Sequence, residues 1–232
     1  METMSMSGVW RRLRSAATRL FKDTRGIAAT EFAFIVPFML VMFFGTVEIS
    51  SGVAVDRKVT LVARTLSDLT SQAGPPLPPA PVSSYAPADD AYLQNVFTAS
   101  IAIFTPYCAV PATMQLSEIY VDSNNVAKVQ WSKAATVPTC NATQATLTNS
   151  TRSAGDTITI PTALLVKQTY LIFSEVSYNY TPVGIGYVMK SNVIMGDVSY
   201  TRPRQVVCVI YNNLPVALPN PPGSPANPCP TT

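Results

Sequence analysis

The sequence predicts an α+β protein, with a long N-terminal transmembrane helix followed by a small antiparallel sheet domain. Three observations predict it. From Ile27 to about Val47 the residues are almost wholly apolar. The segment that follows, to Leu69, keeps a helical period but becomes amphipathic. Further on, short runs rich in β-branched and aromatic residues are separated by turn-forming residues.

The apolar run is long enough for its role. At 1.5 Å rise per residue, such a helix covers about 30 Å, one hydrocarbon thickness. Pro37 would break a soluble helix and is tolerated in a membrane one. Past the run, Val55, Val59, Val62, Leu66 and Leu69 recur at spacings of three and four, so they share one face. Asp56, Arg57, Lys58, Arg64 and Asp68 fall largely elsewhere. The reading is one helix over residues 27–72, half in lipid and half packed on a domain.

Gly74 to Pro81 holds five prolines and ends the helix; residues 73–88 read as an extended Pro-rich spacer. A short helix is expected from about Asp89 to Phe104, capped by Asp89 or Asp90, with Tyr92, Val96, Ala99 and Ile103 as its apolar stripe. Met114–Val121 reads as a strand, Asp122-Ser123-Asn124-Asn125 as a turn, and Val126–Trp131 as the returning strand. Residues 134–158 are rich in Thr, Ala, Asn and Ser and read as a long surface loop. Gln168–Tyr180 is the strongest strand in the chain. Val183–Val188 and Asn192–Tyr200 are weaker segments of the same kind. The exported domain is thus expected over residues 89–214, with a Pro-rich tail over 215–232.

Charge and composition narrow the function classes. The chain has 232 residues, 47% hydrophobic and 12% charged, with mean hydropathy +0.22. That fits a membrane-anchored protein. Histidine is absent, which excludes a His base and His-built metal sites. Residues 1–26 carry six basic and two acidic side chains; the remainder carries ten basic and eleven acidic. The basic excess belongs to the leader and follows the positive-inside pattern, which puts residues 1–26 in the cytoplasm and exports the rest. A nucleic-acid binder would carry its charge on the folded domain, so no nucleic acid is expected as partner. No Walker A or G-x-S-x-G motif occurs. No catalytic residue, cofactor or metal is expected, and the chain reads as a non-enzyme.

Cys108, Cys140, Cys208 and Cys229 all lie beyond the apolar run, with no C-x-x-C spacing. An even count on the exported side points to two disulfides. Three pairings are open. Cys108–Cys140 with Cys208–Cys229 is favoured because each closes a local loop. Glu175 sits in the apolar strand, where it either faces water or pairs with an arginine such as Arg202 or Arg204. The tyrosines of this region (Tyr170, Tyr178, Tyr180, Tyr187, Tyr200) read as sheet packing.

One acid stands inside the apolar run. Glu31 costs a few kcal/mol in or near hydrocarbon and needs a partner. Gly26 stands five positions before it, directly after the basic leader, and Phe32 directly after it. No A-x-A-like site suited to ordinary signal cleavage follows the run. The pattern resembles a prepilin signature, with the cut between Gly26 and Ile27. Glycine lacks a Cβ and lets the backbone enter a tight site. The cut frees an α-amine on Ile27, which can pair with Glu31 of a neighbouring subunit.

Arg25-Gly26-Ile27-Ala28-Ala29-Thr30-Glu31-Phe32-Ala33, with Pro37, Gly45 and Glu48 following, is similar to the N-terminus of the TadE/TadG-like family. Val176–Pro182 and Arg202-Pro203-Arg204 are a softer likeness to its C-terminal part. The resemblance implies a minor pseudopilin of the Flp/tight-adherence pilus system with a pilin-like sheet domain. It implies a single-pass inner-membrane protein with a periplasmic C-terminal domain. It also implies membrane lipid, a prepilin peptidase, other Tad/Flp pilins and inner-membrane assembly-platform proteins as partners. Phe32 stands where a major Flp pilin usually has Tyr, which argues against a main pilus subunit. Asp68-Leu69-Thr70-Ser71 fails the D-x-S-x-S metal motif of TadG-type relatives. The runner-up reading is an unprocessed, signal-anchored periplasmic adhesin or binding domain.

Overall fold

The structure is a computed structural model; it describes Arg14, Thr18, Cys229 and residues 25–74, 85–110, 112–182 and 192–211. Helix α1 runs Arg25–Ser71 with Pro37 inside it. Two compact units divide the chain, residues 1–49 and residues 50–232.

In the first unit α1 is apolar all round. Phe32, Phe34, Phe38, Val41, Met42 and Phe43 are each more than 60% exposed. A helix with no polar face suits lipid, and α1 is the one described helix long and apolar enough to cross a membrane. Its hydroxyls are satisfied within the helix, as lipid requires. Thr30 Oγ1 donates to the Ile27 carbonyl and Thr46 Oγ1 to the Met42 carbonyl, both at 2.8 Å.

In the second unit the end of α1 is a core element. Val55, Val59, Val62 and Leu66 are fully buried, while Leu69 is half-buried against the same cluster. The helix lies against an antiparallel sheet. Its strands are β2 (Ala112–Val121), β3 (Ala127–Thr136), β4 (Thr146–Asn149), β6 (Thr169–Tyr180) and β7 (Val193–Thr201), in the order β4-β3-β2-β6-β7. A short β5 (Thr157–Ile158) pairs with β3. Met114, Leu116, Ile172 and Val176 face the helix in one buried cluster. Ile119, Val121, Leu171 and Phe173 form a second cluster on the other face, under Ile158 and Ile160.

Polar groups fasten the helix to the sheet. Ser174 Oγ donates to the Ala63 carbonyl at 2.6 Å, and Ser67 and Ser199 hydroxyls meet at 2.8 Å. Lys58 Nζ donates to the Ile103 and Thr105 carbonyls, each at 2.7 Å. At the helix end, Arg204 N–H donates to the Ser71 carbonyl at 2.8 Å and its guanidinium pairs with Asp68 at 2.6 Å. These partners take up groups that a helix terminus leaves open.

Helix α2 (Asp90–Ile101) begins at Asp89, whose carboxylate accepts the Tyr92 N–H at 2.7 Å. Its buried face is Leu93, Val96, Phe97, Ser100 and Ile101. The expected stripe is corrected here: Ala99 is exposed, because the bulkier Leu93–Phe97 side turns inward and a 3-10 turn, Ala102–Phe104, buries Phe104 instead. The expected turn forms as read, with Asp122 Oδ1 accepting from Asn124 and Val126 N–H.

Three further expectations are corrected. Residues 134–158 are not one loop. β3 continues to Thr136, and β4 and β5 follow. Pairing to Met114–Leu116 extends β3 through weak strand formers, an instance of context overriding propensity. Tyr85–Ala88, read as the end of the spacer, forms β1, which pairs in parallel with β8 (Cys208–Tyr211). Glu175 pairs with Arg152 rather than with water, Arg202 or Arg204. Val183–Val188, Tyr187 and the tail apart from Cys229 lie outside the described residues.

Both disulfides take the favoured pairing, Cys108–Cys140 and Cys208–Cys229, with sequence separations of 32 and 21. Two predictions follow from this packing. Leu66→Ala should lower the unfolding free energy by about 2–5 kcal/mol, whereas Leu61→Ala, at an exposed position of the same helix, should change it by less than about 0.5 kcal/mol. Urea denaturation followed by circular dichroism measures both. The double variant Cys108→Ser, Cys140→Ser should lose about 3–4 kcal/mol by loop-closure entropy in the same assay.

Candidate processing segment and the buried acid of the sheet domain

Gly26, Ile27, Glu31 and Phe32 all lie in the first turns of α1. Gly26 is open: a Cβ built there would meet nothing within 4 Å. Ile27 is 54% and Phe32 66% exposed, and Glu31 is exposed as well. Glu31 stands four residues after Ile27, about one helical turn, so the two lie on the same side of α1. Gly45 also has open space around its Cα, and Glu48 follows one turn later. The first turns of α1 therefore present a glycine, one acid and an aromatic among mostly apolar neighbours.

The second unit holds an acid that the sequence reading did not single out. Glu118 on β2 is fully buried. Its Oε1 accepts the Val209 N–H at 2.7 Å and its Oε2 accepts Trp131 Nε1–H at 3.1 Å. Trp131 Nε1–H also reaches the Val209 carbonyl at 2.5 Å. Val209 of β8 thus has both backbone polar groups bonded to side chains of the main sheet. Burial pushes the Glu118 carboxyl up, against the lowering effect of its two hydrogen bonds. The local cause of its placement is a β-bulge. Glu118 pairs with Trp131 and Ile119 with Val129, so Gln130 is the extra residue of β3. The bulge lets Trp131 share the helix-side face with Glu118 while Val129 stays with Ile119 on the other. The signal was present in the sequence: Glu118 has the same strand parity as Met114 and Leu116.

Around it, Tyr120 and Tyr170 pack at 4.8 Å between ring centroids beside Cys208, Ile210 and Cys229. Burial, then the Glu118 charge, raises the Tyr170 hydroxyl above its ordinary range. Tyr178 stacks on Phe104, and Tyr200 on Phe173, as sheet packing predicts.

The outer face of the sheet carries a cavity of about 620 Å³ lined by Thr113, Gln115, Glu175, Ser177 and Val198 among others. Arg152 pairs with Glu175 of the lining. Its Nη2 donates to Glu175 Oε1 at 2.9 Å, Nη1 bonds Oε2, and the guanidinium lies 5.2 Å over the Phe173 ring. Gln115 Nε2 is shielded from solvent, with no hydrogen-bond partner among the described residues. Among the described residues, no cluster of three or more His, Cys, Asp or Glu could hold a metal.

No curated protein and no solved structure matches the chain. One family does: its model, TadE, described as TadE-like protein, matches residues 26–67. The match starts at Gly26 and takes in Glu31, Pro37, Gly45 and Glu48. Over residues 26–67 the long N-terminal helix is similar to TadE-like protein.

Proposed function

We propose that this protein is a minor pseudopilin-like subunit that takes part in assembly of a Flp/Tad pilus. The observation that carries the reading is the TadE-like match beginning at Gly26, the residue after which a prepilin peptidase would cut. In this reading α1 crosses the inner membrane once. The basic leader keeps the N-terminus cytoplasmic, and the sheet domain stands in the periplasm. Two disulfides fit that oxidising compartment.

Cleavage between Gly26 and Ile27 would replace a basic leader with one α-amine, four residues from Glu31. Each group alone costs a few kcal/mol near hydrocarbon. Paired across two subunits, they offset one another. Insertion of a subunit then becomes favourable only beside a neighbour that supplies the opposite charge. Pro37 removes a backbone donor six residues beyond Glu31, which loosens the helix where subunits would adjust to each other. Prepilin peptidase, other Tad/Flp pilins and the assembly-platform proteins are the partners of this reading. Its sites are Gly26 and Ile27 for cleavage, with Glu31 and Phe32 for processing and assembly.

One observation favours a second reading, an unprocessed anchored binding domain: the cavity on the outer sheet face. Mass spectrometry of the N-terminus separates the two. With a prepilin peptidase co-expressed, the first reading predicts a new end at Ile27, lost in Gly26→Ala; an intact Met1 under those conditions supports the second. Glu31→Ala should still be cut yet fail to support pilus assembly, scored by electron microscopy of the piliated host. Normal piliation would remove Glu31 from the assembly step.

A further inference from the structure

The β1–β8 pair is a separate two-stranded sheet. It attaches to the main sheet by apolar burial of Cys208, Val209 and Ile210 and by a small set of polar side chains. Val209 bonds Glu118 by its N–H and Trp131 by its carbonyl. Tyr211 bonds Asp90 through its hydroxyl, packs 6.0 Å from the Trp131 ring and lies under Lys133 at 4.9 Å. Cys208 ties Cys229 to the same place. Glu118 is the fully buried acid of this attachment. Among the described residues it has two hydrogen-bond donors and no cation paired with it.

The neighbouring titratable and charged groups are few. Its own strand contributes Tyr120. β3 contributes Lys133, which pairs with Asp90 of α2 at 3.8 Å. β6 contributes Tyr170 and β8 contributes Tyr211. The three tyrosines are all pushed above their ordinary range, chiefly by burial, so they keep their protons near neutral pH.

We propose that Glu118 is a proton-operated latch. As a neutral carboxylic acid it holds β8 on the six-stranded sheet, and with β8 come β1 and the disulfide-tied Cys229. Its ionisation places inside the sheet domain a charge that no cation among the described residues offsets, and releases the pair. Release brings Val209, Ile210 and the Trp131 ring toward water, so the latch couples local pH to exposure of an apolar surface.

The sign is set by burial. The carboxyl stands at about 8 when closed, against an ordinary value of 4.5. A raised value in the closed state means that the latch is fully effective below about 4.5. It weakens as pH rises from there to about 8, and above that no further change comes from this group. The open population should therefore rise by up to tenfold per pH unit through that window.

Hydrogen exchange of the full chain in detergent micelles tests this. The readout is the protection factor of the 208–211 amides, which removes the intrinsic pH dependence of exchange. In the native chain it should fall by up to tenfold per unit between pH 5 and 8, while β2 and β6 stay protected. In Glu118→Gln it should be independent of pH. A flat native profile, or the same slope in Glu118→Gln, overturns the proposal. If Glu118→Gln fails to fold, Trp131→Phe serves, because it deletes one donor and keeps the acid. It should lower protection yet retain the pH dependence, with the midpoint moved upward. A pH-independent profile in Trp131→Phe also overturns the latch.

Discussion

An amphipathic helix half and a one-sided sheet each leave apolar surface that water will not accept. In this protein they solve the problem for each other. The stripe Val55, Val59, Val62 and Leu66 is fully buried, and so are Met114, Leu116 and Ile172 on the sheet. Burying side chains of this size contributes about 1.5–3 kcal/mol each, far more than the flanking hydrogen bonds, which contribute about 1 kcal/mol apiece. Those bonds do something different. Ser174 reaching the Ala63 carbonyl and Ser67 meeting Ser199 fix where along the sheet the helix sits. Burial drives the docking, and the hydroxyls set its register.

The same face of the sheet has to accommodate a polar group, and the bulge at Glu118 shows how. In a regular strand Val129 and Trp131, two residues apart, would share a face; the bulge at Gln130 instead sets Val129 opposite Ile119 and Trp131 opposite Glu118. Trp131 joins the helix-side cluster, where its N–H finds both Glu118 and the Val209 carbonyl. One inserted residue thus brings Trp131 to the polar site. A lone carboxylate in that position would be costly. A carboxyl that accepts two hydrogen bonds is more tolerable, and it gives β8 a place to attach.

Much of this was legible in the sequence because it rests on local pattern. The 3.6-residue period marked the buried stripe of α1, Asp89 announced a helix start, and Asp122–Asn125 announced a turn. The apolar run and Gly26, Glu31, Pro37, Gly45 and Glu48 carried the family resemblance that the TadE-like match supports. What was not legible depends on contacts distant in sequence. Thr146–Asn149 becomes a strand only because β3 lies beside it. Tyr85–Ala88 becomes one only because β8 arrives more than a hundred residues later. Glu175 found Arg152 across a bend that no spacing rule forecasts, and Glu118 looked like one more polar strand residue until its parity was read against Met114 and Leu116.

The central claim is that residues 55–71 of α1 are part of the folded sheet domain and not a free stem. Hydrogen exchange of the full chain at one pH, read along α1, tests it most directly. The account predicts that amides from Val55 to Leu69 exchange as slowly as those of β2 and β6, because all open only when the domain unfolds. Exchange of that stretch orders of magnitude faster than β2 and β6 would contradict it.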